Sequence, residues 1–174
     1  MAIAGKIATP MPLPLAAQST PVFMQVAALC WRTVGERVEV LLITSRDTGR
    51  WIIPKGWPMK GRSDAAAALR EAYEEAGVQG EVAPEPLGHF HYVKVTDPGH
   101  GLPCGVAVYA VRVTQLRDRF PENDQRRRKW FAPERAALKV DEPELRALLR
   151  RFSPLTPAAP SPAPTPRPRP GDAS

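Results

Sequence analysis

Three glutamates, Glu71, Glu74 and Glu75, fall within one short stretch, PKGWPMKGRSDAAAALREAYEEAGV, residues 54–78. Carboxylates four apart on a helix repel by roughly 0.2–0.5 kcal/mol, and a shared cation would offset that cost. On a helix Glu71 and Glu75 are about 40° apart and one turn along the axis. Such a pair can hold one hard ion, with water and phosphate oxygens completing an octahedron. Glu74 lies beside them as a candidate base toward an attacking water. A glutamate-rich helix face is also ordinary solvated surface, so the case for chemistry rests on the elements around it.

Ser63 is an N-cap residue and Gly77 a C-terminal stop, which predicts a helix from Asp64 to Ala76. Ala65, Leu69, Ala72 and Ala76 cluster within about 60° as the face packed on a sheet, with the glutamates in an arc roughly opposite. Pro54, Gly56, Pro58 and Gly61 make the preceding segment a loop. Upstream, VFMQVAALCWR and RVEVLLITS read as a hairpin turned at TVGE, followed by the turn RDTGR and the short strand WII. Downstream, PLGHFHYVKV and CGVAVYAVRV flank TDPGHGLP as a second hairpin. KWFAPERAAL runs a short strand into a helix, and DEPELRALLRRF closes as an amphipathic helix through Leu145, Leu148 and Leu149. Strands interleaved with helices predict a layered α/β domain.

Twelve of the 21 prolines lie in residues 1–21 and 154–174. Both ends, 1–21 and 153–174, therefore read as extended tails around a folded domain at 22–152. The net charge of +6 points to acidic partners such as phosphates, RNA or anionic lipid. Cys30 and Cys104 sit in apolar runs without metal-binding spacing and read as reduced, buried thiols. No apolar run reaches membrane-spanning length and the N-terminus makes a poor secretory signal, so the expected location is cytoplasmic. His89 and His91 share a strand face but lack a third ligand for zinc.

The motif loop and helix resemble the signature of the Nudix hydrolases: G, five residues, E, seven residues, R-E-(apolar)-x-E-E-x-G-(apolar). Gly56, Arg70, Glu71, Ala72, Glu74, Glu75, Gly77 and Val78 match in register. The resemblance implies a Nudix-type α/β/α sandwich with a mixed central sheet, and hydrolysis of a pyrophosphate linked to another group. It implies Mg²⁺ or Mn²⁺ held by Glu71, Glu75 and a backbone carbonyl of Lys55 or Gly56, with Glu74 as general base. Arg70 is expected to orient Glu71 or a loop carbonyl. One position departs: the first motif glutamate is Arg62, which cannot bind a cation but could reach a substrate phosphate. Asp64, two residues on, is the candidate replacement.

Outside the motif, Arg46, Arg50 and Lys55 precede the platform, and QRRRKWF adds Arg126, Arg127, Arg128 and Lys129. Such a density of cations suits a substrate with several phosphates. AALCWR, TSRDTGRWIIPKG, LGHF and RRRKWFAPERAALKV resemble the diphosphoinositol polyphosphate and dinucleoside polyphosphate phosphohydrolase branch. This resemblance implies phosphate contacts from Arg46 and from a basic residue before the W-F pair, assigned to Arg127. Met24 and Gln25 replace the branch's basic first strand, and KGW replaces its glycine triplet. Trp57, in the motif loop, is the expected ring contact, while Trp51 reads as core. The expected partner is a polyphosphorylated small molecule. The readings beside it are hydrolysis of a nucleotide sugar, ADP-ribose or a capped RNA end, and a Nudix-fold module that binds without cutting. The sequence leaves oligomeric state open.

Overall fold

The computed structural model describes residues 22–154. Strand β1 (Phe23–Val34) organises the sheet because its neighbours change along its length. On one edge it runs parallel to β7 (His100–Leu116) from Phe23 to Trp31. On the other it pairs antiparallel first with β4 (Lys55–Gly56), at Val26 and Ala27, and then with β2 (Arg37–Thr44), from Trp31 to Val34. Strand β3 (Trp51–Ile52) and β8 (Arg128–Phe131) pair with β2. The far edge of β7 carries β6 (Gly88–Asp97) and β5 (Val78–Val82) in succession. The result is a mixed eight-stranded sheet.

Buried alternation along the central strands splits the core into two layers. Val26, Ala28 and Cys30 of β1 and Leu41 and Ile43 of β2 face α1 (Asp64–Ala76). Ala27 and Leu29, with Val40 and Leu42, face α2 (Pro133–Lys139) and α3 (Pro143–Arg151). Both faces are covered, which explains why these strands read as continuous apolar runs rather than alternating ones. The architecture is the expected α/β/α sandwich. Cys30 and Cys104 are buried free thiols, and no helix among the described residues is long and apolar enough to cross a membrane.

Helix α1 has the expected bounds, with the Ser63 side chain accepting from the Ala66 N–H and Gly77 in the left-handed region at φ 70°. Its buried face is wider than the alanine spacing implies. Ala67, Ala68 and Glu75 are buried together with Ala65, Ala72 and Ala76. Small side chains let the helix lie close to the sheet, so Glu75, only about 20° from Ala68 on the helical wheel, is drawn into the contact. The glutamates thus do not all lie opposite the apolar face.

Three further differences concern strands. VQGEV forms β5, which the short run of mixed polarity does not announce, and Lys55–Gly56 forms β4 inside the motif loop. The second hairpin is also longer than expected, its arms pairing as far as Asp97 opposite His100. The expected tails at 1–21 and 153–174 lie outside the described residues except for Ser153 and Pro154.

Ala68 is fully buried between α1 and the sheet. Ala68→Leu overpacks that layer and is expected to cost about 1–3 kcal/mol, read as a lower urea midpoint at unchanged m-value.

Candidate active site

The site forms where β1 and β2 part and the segment Pro54–Gly56 enters between them. The Ala28 N–H donates to the Pro54 carbonyl at 2.9 Å, and Val26 stands opposite Gly56 two residues along. In an antiparallel ladder alternate residues turn their backbone groups toward the partner. Gly56 is therefore committed to β1, whereas Lys55 turns its backbone groups away. The Lys55 N–H donates to Glu75 Oε2 at 3.3 Å. Of the two carbonyls considered from sequence, that of Lys55 is the one the ladder leaves free beside Glu75.

Gly56 has a steric role. A Cβ on Gly56 would overlap the Glu71 carboxylate, so the glycine lets that carboxylate lie against the β4 backbone. Glu71 and Glu75, one helical turn apart, face the same β4 dipeptide.

Burial and neighbouring charge raise both carboxyls. Glu71 is pushed up to about 7, first by burial and then by the charges of Glu75, Glu74 and Glu122. Glu75 is also pushed up to about 7 by burial, against the opposing charge of Arg126 and the Lys55 amide. Arg126 is the nearest cation: its Nη2 lies 3.3 Å from Glu75 Oε1 and 3.5 Å from Glu122 Oε1. Its Nη1 donates to the Thr44 carbonyl at 3.0 Å, while its buried Nε has no partner. Arg46 Nη1 meets the same Glu122 Oε1 at 3.0 Å.

Glu71 and Glu75 line a cavity of about 1050 Å³. Arg46, Arg50, Lys55, Gly56 and Trp57 line it as well, so most of the residues singled out from sequence meet in one place. Arg50 is anchored there by Glu142, at 2.8 Å. The Lys55 ammonium lies 5.0 Å from the centre of the Tyr92 ring, and burial lowers its proton affinity.

Several expectations are redirected. Arg127 does not line the cavity; its guanidinium lies 5.8 Å over Trp51 on the α2/α3 side. Its neighbour Arg126 enters the cavity instead. The period-2 alternation of β8 explains this: Trp130 packs with the α1 layer and Phe131 with the other, which sets Arg126 and Arg127 on opposite sides. Arg70 donates to Glu74 Oε1 at 2.8 Å rather than to Glu71 or a loop carbonyl. Glu74 does not line the cavity. Arg62, expected to reach a substrate phosphate, lines a separate, smaller groove with Arg70 and Tyr73, and Asp64, the candidate replacement for the first motif glutamate, is an exposed first-turn residue of α1 that does not line the cavity.

Trp51 packs edge-on against Phe131, as a core residue. His91 bonds to Glu144 of α3 at 3.0 Å. Glu122 and Lys94 are cavity neighbours that the sequence did not mark. Each sits in a charged or alternating segment with no motif around it, and only the fold brings it to the site.

Residues 24–152 match the NUDIX domain family. The chain is 37% identical over 112 residues to human diphosphoinositol polyphosphate phosphohydrolase 3-alpha, covering 63% of this chain and 64% of that relative. It is 32% identical over 122 residues to the mitochondrial Nudix hydrolase 16 of Arabidopsis thaliana, covering 68% and 67%. The match thus spans less than two thirds of the human relative's length. In architecture it is similar to a crystal structure of the C. elegans Ap4A hydrolase, with a TM-score of 0.54 and 23% identity, over 75% of this chain and 95% of that one. A glutamate-bearing helix laid on a glycine loop, inside a fold matched along residues 24–152, places this chain in the Nudix family.

Proposed function

We propose that the chain is a divalent-metal-dependent pyrophosphohydrolase that cleaves a phosphoanhydride in a polyphosphorylated small molecule, of the dinucleoside polyphosphate or diphosphoinositol polyphosphate kind. The observation that carries this is the pairing of Glu71 and Glu75, both with raised proton affinity, on the wall of a cation-lined cavity. The names of the human relative and the C. elegans neighbour support the substrate class.

The donor set suits Mg²⁺ or Mn²⁺. Two carboxylates and the Lys55 carbonyl are hard oxygen donors, the choice expected for such ions. Among the described residues no three His, Cys, Asp or Glu side chains are arranged to hold a metal between them, so water or substrate oxygens would complete the shell. The bound ion would supply Lewis acidity toward a phosphoryl oxygen and toward water. The protein's own part is to hold Glu71 against Gly56, to offset part of the burial of Glu75 through the Lys55 amide and Arg126, and to present cations to the phosphates. Glu74, which the Arg70 bond holds just outside the cavity wall, would take the proton from the attacking water once that bond is released.

A binding-only reading rests on Arg62 in place of the first motif glutamate. Arg62 is exposed and outside the cavity, so it does not obstruct the platform, and hydrolysis is the reading favoured. The test is release of phosphate or nucleotide, with and without Mg²⁺, from diadenosine polyphosphate, diphosphoinositol polyphosphate, ADP-ribose and capped RNA. Turnover of one of the first two, abolished by chelation, is expected. Tight binding with no turnover of any would contradict it.

Three further outcomes are expected. Glu71→Gln and Glu75→Gln lose both turnover and stabilisation by Mg²⁺, whereas Glu74→Gln lowers kcat by about 100-fold or more and keeps that stabilisation. Gly56→Ala displaces the Glu71 carboxylate, a flexible side-chain end, so turnover is lost while the urea midpoint changes little.

The third concerns pH. Glu71 and Glu75 rise from the ordinary 4.5 to about 7 in the metal-free fold. Protons therefore bind the folded state more tightly, and their stabilising contribution is complete below 4.5 and lost as pH rises through about 7. In chelator, the melting temperature should fall across that window, and Mg²⁺ should restore it at about pH 7.5 but not at about pH 5. A metal effect of equal size at both pH values would count against these ligands.

A further inference from the structure

Five cationic side chains line the cavity: Arg46, Arg50, Lys55, Lys94 and Arg126. The three arginines already face carboxylates, Arg46 with Glu122, Arg50 with Glu142 and Arg126 with Glu75. The two lysines do not. Among the described residues neither Lys55 nor Lys94 takes part in an ion pair. Each lies over an aromatic face instead, Lys55 Nζ 5.0 Å from the Tyr92 ring centre and Lys94 Nζ 5.2 Å from that of Trp57.

The backbone sets these pairs in sequence. Tyr92 and Lys94 are two residues apart on β6, so they project from the same face, about 7 Å apart along the strand. Trp57 directly follows Gly56, at the platform, and is 41% exposed. The Lys94 contact therefore joins the β6–β7 hairpin to the motif loop across the cavity.

An ammonium resting on an indole is held more weakly than one hydrogen-bonded to a phosphate. A substrate phosphate would draw Lys94 away and uncover the Trp57 face. An uncovered indole suits a planar aromatic ring, since every nucleobase presents a π-face for stacking. A phosphorylated inositol ring has no such face. It also carries phosphates around its whole rim, and the arginines that could meet them are already paired with carboxylates.

We propose that Lys94 and Trp57 form a nucleotide-recognising arm of the active site. Lys94 takes a phosphate of the substrate, the Trp57 face it vacates takes the base, and the chain thereby favours dinucleoside polyphosphates over diphosphoinositol polyphosphates. This deepens the hydrolase reading above and rests on the same cavity.

The test separates binding from turnover. Wild type, Lys94→Met and Trp57→Leu are titrated calorimetrically with a diadenosine polyphosphate and with a diphosphoinositol polyphosphate. Both side chains are at least partly exposed, so the variants should fold, and circular dichroism verifies it. Wild type should bind the diadenosine compound more tightly, and both variants should weaken that binding about tenfold, equivalent to about 1.4 kcal/mol. Trp57→Leu should leave the diphosphoinositol affinity within about twofold of wild type. In turnover, both variants should raise KM for the diadenosine compound with kcat nearly unchanged. Diadenosine binding within twofold of wild type in either variant would overturn the proposal, as would equal losses on both ligands in Trp57→Leu. If the binding pattern holds but neither compound is hydrolysed, this assignment stands and the hydrolase reading falls.

Discussion

The site depends on keeping two carboxylates near each other and near a backbone they would ordinarily avoid. Glu71 lies against Gly56, and Glu75 is buried beside the Lys55 amide. Burying a charged carboxylate is costly unless it is hydrogen-bonded or paired. The fold meets that cost in part through the Lys55 N–H and Arg126, and in part by raising the proton affinity of both acids. This arrangement constrains much else. It requires a helix close to the sheet, hence the alanines of α1. It requires a backbone segment inserted between β1 and β2, hence β4. It also requires a residue without a side chain at Gly56.

Around this acidic pair the remaining charges are arranged by pairing. Arg126 and Arg46 share Glu122, and Arg50 is tied to Glu142. These links fix the arginines along the cavity wall at the expense of their free charge. The protein therefore presents guanidinium groups already paired with carboxylates, beside two lysines that take part in no ion pair among the described residues. Such pairs contribute little net stability, whether exposed like Arg46–Glu122 or buried like Arg126–Glu75. Their function here is to keep long side chains ordered beside the carboxylate platform.

Much of this was readable from the chain. The N-cap Ser63, the left-handed Gly77 and the alanine spacing define α1 locally, because capping and periodicity act within a few residues. Apolar runs around residues 26–30 and 106–111 likewise give the central strands. What the sequence concealed depends on pairing between distant segments. VQGEV carries little strand character and becomes β5 only because β7 offers an edge to it. The choice between Arg126 and Arg127 turns on the register of β8 against β2, which no local signal fixes. Glu75 looks like surface on a helical wheel until the closeness of the helix to the sheet is known. Arg70 binds Glu74 because the two are one turn apart on an exposed face, a contact visible in the spacing but overshadowed by the motif.

On the proposed reading, Glu71, Glu75 and the Lys55 carbonyl hold one divalent ion. The most direct measurement is a titration of ¹⁵N-labelled protein with sub-stoichiometric Mn²⁺, following paramagnetic broadening of the backbone amides. The prediction is selective loss of the signals of Lys55, Gly56 and the α1 segment around residues 71–75, reversed by excess Mg²⁺ and absent in Glu75→Gln. Broadening centred elsewhere, or left intact by that substitution, would contradict the assignment of the metal platform.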